Sequence, residues 1–293
     1  MKEKFIEIFN ESIRYFDIGN EDAENKVYLQ GNLHSNEVTA FLVLLKLIKI
    51  LEKHPLESTF IRIVPCCNPT GFKGLIYGDS GRTSFPNRLD WNRIFNIKKI
   101  NTKTLEFKLA DSLLKLSQDF QTLVDVHTPE YGIEHIYVES LDKRLITFDD
   151  LIHIISDLIT EDSFEDSNNF NNPKCKAVTL ELPSLEINTN SKIDYWSKRV
   201  FNELVAIDKN TPLSTPINVN HGSIVNLYSS IDGAYKVFSE VSGEFKKNDV
   251  ILSIYDIEGN IELIKAPFNC RCICFRKNLI AIKGSWVVRI LKV

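Results

Sequence analysis

The sequence predicts an α/β fold in which helices sandwich a mixed, mostly parallel sheet, with a smaller all-β domain at the C-terminus. Up to about residue 210, apolar runs of strand length alternate with segments whose apolar residues have helical spacing. After residue 216, short β-type runs are separated by Asp-Gly, Ser-Gly and Glu-Gly-Asn turns. A chain of 293 residues also exceeds the usual size of one core. We therefore expect a larger domain at residues 1–210 and a β domain at residues 211–293.

The elements of the larger domain are predicted from the period of their apolar residues. Runs of β-branched and leucine side chains predict four strands, at residues 26–33, 59–66, 122–127 and 175–182. Apolar residues at helical spacing predict four helices, at residues 36–52, 104–117, 142–159 and 192–207. Residues 68–96 lack either period, but their five aromatic side chains argue against disorder. An irregular segment of this length is usually functional.

Charge and cysteine content exclude several classes of protein. A net charge of -4 and a pI near 5.9 give no electrostatic footprint for nucleic acid. The first residues are charged where a signal peptide would be apolar, so export is not expected. The longest apolar stretch, residues 40–51, carries two lysines and is too short to cross a membrane. Six cysteines in a chain of this length predict reduced thiols and a cytoplasmic protein.

Three groups of polar residues follow predicted strands. His34 and Glu37 come first, then Asp125 and His127, then Glu181. Open α/β sheets build their sites where strands emerge from the core. Two imidazoles and a carboxylate leave one zinc position open for water, which distinguishes a catalytic zinc from a structural one. The pattern therefore predicts a zinc site, although each group alone is also typical of a solvated helix start or a packed strand end.

Two further features of these groups suggest roles. Metal-bound histidines usually donate their second N–H to a carboxylate, and Asp125 or Asp90 is a candidate for that partner of His127. Glu181 lies between apolar residues, where an ionised carboxylate is costly without a partner. It is therefore either part of a structural salt bridge or a general base with a raised pKa, facing metal-bound water.

Arginines in the irregular segment are candidates for binding an anion. Arg82 leads through a Ser-Phe-Pro stretch to Asp90, and Asn92 and Arg93 follow. Arginine presents a planar fork that suits carboxylates and developing oxyanions. A solvated loop arginine is the alternative for each residue taken singly.

Taken in order, five motifs resemble the succinylglutamate desuccinylase/aspartoacylase family, within the zinc carboxypeptidase-like hydrolases. The motifs are His34-Ser35-Asn36-Glu37, Asn68-Pro69, Arg82 through Asn92-Arg93, Asp125-Val126-His127 and Thr179-Leu180-Glu181. The resemblance covers about residues 27–205. It continues weakly into the β domain, which resembles the barrel-sandwich C-terminal segment of the family.

The resemblance implies a zinc-dependent amidohydrolase that deacylates an N-acyl amino acid. It implies one Zn²⁺ per chain, held by His34, Glu37 and His127, with Glu181 as general base and acid. In the same way Arg82 would stabilise the oxyanion, Asn92 and Arg93 would hold the substrate carboxylate, and Asp90 would orient a zinc-ligating histidine. The implied partner is a small molecule, with neither nucleic acid nor membrane.

The chain departs from the family pattern at several positions. Ser35-Asn36 stands where Gly-Asp or Gly-Asn is usual, and Pro183 stands near the usual position of a glycine. Arg88 is a second candidate for the oxyanion role. Shortly before Glu181, where some members have an arginine for the acyl carboxylate, the only candidates are Asn171, Lys174 and Lys176. The acyl group therefore stays open.

Two alternatives to the deacylase remain. A zinc carboxypeptidase would share every catalytic residue, and it would need an open groove where a deacylase has a site capped by the β domain. A non-catalytic binding protein would keep the fold and lose part of the site. The β domain is expected to restrict access to the metal, and it is a candidate for homo-oligomer contacts.

Overall fold

The computed structural model describes residues 1–84, 87–96, 101–129, 131–138, 148, 151–155, 163–164, 175–183, 190–211, 218–220, 224–238, 242–276 and 280–293. The strands in this part of the chain are β1 (Lys2–Ile8), β2 (Glu11–Ile18), β3 (Asn25–Gly31), β4 (Thr59–Val64), β5 (Thr122–His127), β6 (Tyr131–Gly132), β7 (His135–Val138), β8 (Ile152–Ile155), β9 (Lys176–Glu181), β10 (Asn218–Asn220), β11 (Ile224–Tyr228), β12 (Gly233–Val237), β13 (Glu244–Phe245), β14 (Val250–Tyr255), β15 (Ile261–Lys265), β16 (Cys270–Phe275), β17 (Ile280–Ala281) and β18 (Trp286–Lys292). The α-helices are α1 (Val38–Lys53), α2 (Pro69–Gly74), α3 (Leu105–Ser117) and α4 (Asn190–Asp208). Short 3₁₀ helices cover Leu75–Tyr77 and Trp91–Arg93.

A nine-stranded mixed sheet forms the centre of the molecule, in the order β1-β2-β4-β3-β5-β9-β7-β8-β10. Five of its eight pairings are parallel, and the pairs β1–β2, β2–β4 and β7–β9 are antiparallel. This confirms the predicted mixed, mostly parallel sheet. Because β3, β5 and β9 are adjacent and parallel, their C-terminal ends lie at one edge of the sheet.

Helices cover both faces of the sheet, as predicted. Successive side chains of a strand alternate between faces, and on β5 Val124 and Val126 pack in the core formed with α1 and α4. Leu123 packs on the opposite side, in the core formed with α3. The hydroxyl of Ser197 on α4 donates to the carbonyl of Val43 on α1 at 3.0 Å, which ties the two helices together.

Two parts of the sheet differ from the sequence-based expectation. The N-terminal hairpin β1–β2 extends the sheet and was not predicted. The helix predicted at residues 142–159 is wrong at Ile152–Ile155, which forms β8. A short isoleucine-rich run fits a buried strand as well as a helix, and here parallel pairing with β7 and β10 decides the outcome. Most of the rest of that predicted helix lies outside the described residues.

The C-terminal part is all-β, which confirms that prediction. One sheet has the order β11-β18-β16-β13, with β6 added beside β16, and a second sheet has the order β15-β14-β12-β17. The two parts of the chain exchange strands, because β6 precedes residue 210 and β10, which joins the large sheet, follows it. Among the described residues, no helix combines the length and the apolar character needed to cross a bilayer.

A buried ion pair fixes β2 to β4 and to α3. Asp17, which is 3% exposed, accepts from Arg62 at 2.7 and 2.9 Å and from Lys4 at 2.7 Å. Arg62 also donates to the carbonyl of Leu116 at the end of α3, at 3.0 Å. Burial opposes the charge of Asp17, but the hydrogen bonds from Arg62 and Lys4 lower its pKa below the usual carboxyl value.

We expect Asp17→Asn to lower the free energy of unfolding at pH 7 by about 2–3 kcal/mol, because it leaves Arg62 without a counterion in the sheet. Glu3→Gln, which removes the exposed partner of Arg14 on the same hairpin, is the control and should cost less than about 1 kcal/mol. Urea titrations measure both values.

The same pair gives a pH dependence. The pKa of Asp17 is lowered in the folded state. Ionised Asp17 therefore makes its full contribution to the free energy of unfolding above the ordinary carboxyl pKa, near pH 4, and loses that contribution as the pH falls through the lowered pKa. The stability difference between wild type and Asp17→Asn should therefore shrink in acid. An equal difference at pH 7 and pH 2 would contradict this account.

Candidate active site

Two strand ends and the start of a helix bring the candidate metal ligands together. His34 follows the end of β3, His127 is the last residue of β5, and Glu37 precedes α1. One ligand atom from each of these three side chains lies within 4.8 Å of the other two. All three residues are buried. The fold therefore brings together the three residues that the sequence predicts as ligands, and this group could hold a metal ion.

The Glu37 carboxylate lies between the two imidazoles. Its Oε1 is 2.9 Å from Nδ1 of His34, and its Oε2 is 2.9 Å from Nδ1 of His127. The backbone N–H of Thr128 donates to Oε2 at 3.0 Å. No role for Thr128 is predicted from the sequence, because a backbone N–H donor leaves no signal in the pattern of side chains.

A second carboxylate lies behind each histidine. Asp90 Oδ1 is 2.8 Å from Nε2 of His34, and Asp125 Oδ2 is 2.9 Å from Nε2 of His127. Each ring thus lies between two carboxylates, and with Nε2 donating to its aspartate it faces Glu37 either with a second N–H or with an Nδ1 lone pair. The structure thus gives each predicted aspartate its own histidine.

The donor set fits a divalent cation. Two Nδ1 lone pairs and a carboxylate are three acceptors, and buried acceptors cannot satisfy one another. A shared cation would satisfy all three, and nitrogen and oxygen ligands in this combination suit zinc. Protons can take the same role: burial opposes the charge of His127, but the carboxylates of Asp125 and Glu37 raise its pKa well above the usual value.

The turn before α1 positions His34. Asn32 has a φ of +58°, a conformation that asparagine tolerates better than most residues. Its side chain donates to the carbonyl of Ser35 at 2.9 Å, and the N–H of Ser35 donates to the carbonyl of Gly81 at 2.8 Å. Glu37 occupies the N-cap position of α1 without a side-chain capping bond, because its carboxylate faces the histidines.

Asn68 supports this turn from below. Its side-chain Oδ1 caps α2 by accepting from Gly71 N at 2.9 Å, and its Nδ2 donates to the carbonyl of Leu33 at 3.3 Å. A Cβ on Gly71 would lie 2.5 Å from Ser35 Oγ and 2.6 Å from Asn68 Nδ2, so glycine permits the close approach. This explains why Asn68-Pro69 belongs to the motif set although neither residue faces the metal ligands.

Glu181 ends β9 directly beside His127 in the register. Its Oε2 is buried and has no hydrogen-bond partner among the described residues. Burial raises the pKa of Glu181 to about 7, and the charge of Glu37 acts in the same direction, whereas His127 opposes it. The described residues give Glu181 no ion pair, so this geometry favours the general base over the structural salt bridge.

Arg82 lies next to the metal-ligand group. Its Nε is 3.2 Å from Asp90 Oδ2, and its Nη1 is 3.8 Å from Glu37 Oε1. A β-bridge between Thr83 and Asp90 holds the two arms of this loop together. Arg88 is exposed, with a φ of +54°, and contacts none of the described site residues. Of the two oxyanion candidates, Arg82 is the one beside the site.

Asn92 and Arg93 follow Asp90 in a 3₁₀ helix. Asp90 Oδ1, which contacts His34, also caps this helix by accepting from the N–H of Asn92 at 2.9 Å. The Oδ1 of Asn92 accepts from the N–H of Phe164 at 3.1 Å, so its Nδ2 is the end left for a ligand. Arg93 is exposed and donates to the carbonyl of Asn92 at 2.6 Å. The Asp90 carboxylate thus links this 3₁₀ helix to His34, a candidate metal ligand.

The fold agrees with the comparisons with known proteins. Residues 23–205 match the family model described as the succinylglutamate desuccinylase/aspartoacylase catalytic domain. The match spans more than half of the chain, so the chain belongs to this family of hydrolases, and the resemblance stated from the motifs is confirmed. No curated protein matches the chain in sequence.

Solved structures share the fold at low sequence identity. A protein of the same family from Shewanella amazonensis SB2B has a TM-score of 0.79 at 14% identity, covering 99% of this chain and 98% of its own. A succinylglutamate desuccinylase from Silicibacter sp. TM1040 has a TM-score of 0.72 at 17% identity, covering 96% and 89%. The product-bound ectoine utilization protein EutE (DoeB) from Ruegeria pomeroyi has a TM-score of 0.73 at 17% identity, covering 96% and 89%.

We expect Asp125→Asn to weaken Zn²⁺ binding about 10–100-fold. A neutral amide can still orient the His127 ring, but unlike a carboxylate it does not make the ring a stronger base. His127→Ala should abolish stoichiometric binding. Asp111→Asn, a change at a half-buried position on α3, is the control and should bind as wild type does. Competition with a zinc chelator measures the affinities, and stoichiometric zinc in His127→Ala would refute the ligand assignment.

Proposed function

We propose that this chain is a zinc-dependent hydrolase that cleaves the amide bond of an N-acyl amino acid. The observation that carries the proposal is the arrangement of Glu37 between His34 and His127, with Glu181 at the neighbouring register position. Oε2 of Glu181 has no hydrogen-bond partner among the described residues. The first three residues supply the ligands of one zinc ion per chain. The fourth supplies the proton acceptor that hydrolysis requires.

Each residue around the ligands has a part in this reaction. A bound zinc ion lowers the pKa of water to about 7 and polarises a carbonyl group. Asp90 and Asp125 hold the two histidines in the tautomer that presents Nδ1. The N–H of Thr128 fixes the orientation of the Glu37 carboxylate. These three groups keep the three ligand atoms in place before a substrate arrives.

Glu181 moves the proton. It takes a proton from the water whose oxygen adds to the amide carbonyl carbon, and it gives that proton to the amide nitrogen as the C–N bond breaks. The products are a carboxylic acid and a free amino acid. A pKa near 7 suits both steps, because the same group must accept and then release a proton at neutral pH.

Arginines bind the negative charges of substrate and intermediate in this proposal. Arg82, beside Glu37 and Asp90, stabilises the tetrahedral oxyanion, and loss of one such donor typically costs ~10²–10³ in rate. Asn92 and Arg93 hold the free carboxylate of the amino acid. The exposed position of Arg88 makes it the weaker candidate for either role.

The position of the C-terminal part supports a deacylase over a carboxypeptidase. Its strand β16 pairs with β6, and Arg289 on β18 donates to the hydroxyl of Tyr137 on β7 at 3.1 Å. β7 lies next to β9, which ends in Glu181. A β domain in this place narrows the cleft for peptides and admits a small molecule. We retain the division at residues 1–210 and 211–293 as a proposal, with exchanged strands at the junction.

The six free cysteines agree with a cytoplasmic protein, which we also propose. The exposed apolar side chains of the C-terminal sheets, among them Ile261, Leu263 and Ile280, agree with homo-oligomer contacts there. Neither point bears on the reaction.

Glu181→Gln should bind zinc as wild type does and lose turnover by a factor of about 10²–10⁴, because the amide cannot accept the proton of water. Glu52→Gln, an exposed change on α1, is the control for the loss of a negative charge. Release of free amine from a panel of N-acyl amino acids and short peptides measures turnover, and zinc content is measured on the same samples. Wild-type turnover in Glu181→Gln would remove this residue as base.

Arg93→Ala should raise KM strongly for substrates with a free α-carboxylate, because it removes one charged hydrogen-bond donor from that carboxylate. The α-carboxamides of the same substrates should be unaffected. Arg88→Ala, an arginine of the same loop, should leave KM unchanged. If Arg88→Ala has the larger effect, the two assignments are to be exchanged.

A further inference from the structure

A row of exposed hydrophobic residues crosses one face of the C-terminal sheet β15-β14-β12-β17. Tyr255 on β14 pairs with Ile261 on β15 and with Ala234 on β12, and Ala234 pairs with Ile280 on β17. Directly paired residues project from the same face of a sheet, so these four side chains form one line across all four strands, the apolar row. All four are exposed, Ile261 by 57% and Ile280 by 60%.

The opposite face of this sheet already forms a core. Tyr235, Leu252 and Ile264 lie between the residues of the outer face along their strands, and they are buried together. Leu263, two residues after Ile261 and on the same face, is 47% exposed. Antiparallel sheets usually have polar residues on a face that meets water. An exposed face that is apolar as well indicates an interaction surface.

Charges of opposite sign lie on the two sides of the apolar row. Asp232 lies two residues before Ala234, Lys236 lies two residues after it, and both are exposed. Asp232 accepts from the N–H of Lys283 at 2.8 Å, and Nζ of Lys236 lies 5.8 Å from the ring centre of Phe238. Neither contact is an ion pair. A strand rises about 3.3 Å per residue, so the two charges are about 13 Å apart and cannot pair within one chain.

The neighbouring strands repeat this distribution of charge. On the side of Asp232, the turns after β14 and β17 add two carboxylates and one ammonium group, those of Asp256, Glu258 and Lys283. On the side of Lys236, β15 ends with Lys265, which is exposed. The face therefore has an acidic end, an apolar centre and a basic end.

We infer that this face binds a second copy of the chain through a two-fold axis that lies in the interface and runs along the apolar row. An interface of this symmetry joins a surface to itself, so that surface must be self-complementary. Rotation about this axis places each residue of the row against the same residue of the second copy, and it reverses the two ends. Asp232 of each copy then lies opposite Lys236 of the other. The inference goes beyond the proposed function and does not depend on hydrolysis.

The distribution of charge favours a second copy over an anionic lipid surface. Anionic lipids attract faces whose charges are lysine and arginine, and they would repel the acidic end of this one. Two copies related by the axis bring unlike charges together at both ends. The face is four strands wide, or about 15 Å at the usual spacing of strands, which is small for a permanent dimer. We therefore expect a dimer with a dissociation constant on the order of micromolar.

Sedimentation equilibrium over a series of protein concentrations measures the dimer. Ile261→Asp should weaken it at least about tenfold, because a charge in the apolar row would be buried on association. Ala234→Arg should have at least the same effect, because the axis brings the two arginines together. Ile76→Asp is the control, since it makes the same change at an isoleucine that is 80% exposed in the larger domain. Thermal unfolding shows that each variant is folded.

An exchange of charges tests the axis. Asp232→Lys and Lys236→Asp should each weaken the dimer by at least about fivefold, because like charges then face one another. The variant that carries both changes should dimerise as wild type does. Since these two residues are too far apart to pair within one chain, recovery requires two copies in this orientation. Higher salt should weaken the wild-type dimer.

Three results would overturn the inference. One is a wild type that stays monomeric at every concentration up to several hundred micromolar. Another is a dimer that Ile261→Asp and Ala234→Arg leave intact. The third is a charge-exchange variant that stays as weak as its single variants.

Vesicles of phosphatidylcholine and phosphatidylserine are the second probe. Monomeric wild type that binds these vesicles and loses this binding in Ile261→Asp would assign the face to lipid instead. Turnover of N-acyl amino acids is measured separately on the same samples. A chain that dimerises as expected and hydrolyses no amide would contradict the proposed function and leave the interface standing.

Discussion

The position of one carboxylate between two imidazoles organises the candidate site of this protein. Glu37 is held 2.9 Å from Nδ1 of both His34 and His127, and a carboxylate behind each ring fixes its proton on the far nitrogen. Three buried acceptors in this arrangement are stable only with a shared positive charge. The geometry therefore requires positive charge at this point, supplied by protons on the rings or by a shared cation, independently of any resemblance.

The site is built from local features that cost stability. Asn32 adopts a left-handed conformation, and Glu37 does not cap the helix that it precedes. In the part of the chain that the structure describes, Glu181 has a buried oxygen without a partner. The surrounding sheet makes these features tolerable, because β3, β5 and β9 are central strands with helices on both faces. The strain lies where these strands end, so the ladder hydrogen bonds that hold the sheet are not interrupted.

The sequence predicted the strand ends that carry the candidate site residues better than it predicted the edges of the sheet. β5 matches its predicted range because its apolar run stops at a charged pair, Asp125 and His127. The same pattern predicted the positions of His34 and Glu181, because the change from apolar to polar residues at the end of a buried strand is visible in the local sequence. β8 was missed because a short isoleucine run has no local feature that separates strand from helix. The hairpin β1–β2 alternates charged and apolar residues, and only its pairing with β4 makes it part of the sheet.

Strand register cannot be predicted from the sequence, and the surroundings of Glu181 depend on it. β7 runs antiparallel to β9 and parallel to β8, and this pairing puts His135 opposite Glu181 and Tyr137 towards β18. A parallel β7 would place other residues there. Because β6 also pairs with β16 and β10 completes the large sheet, the C-terminal part cannot move away without breaking ladders on both sides of the junction. Arg289, which donates to Tyr137 on β7, is therefore fixed relative to Glu181 by the fold itself.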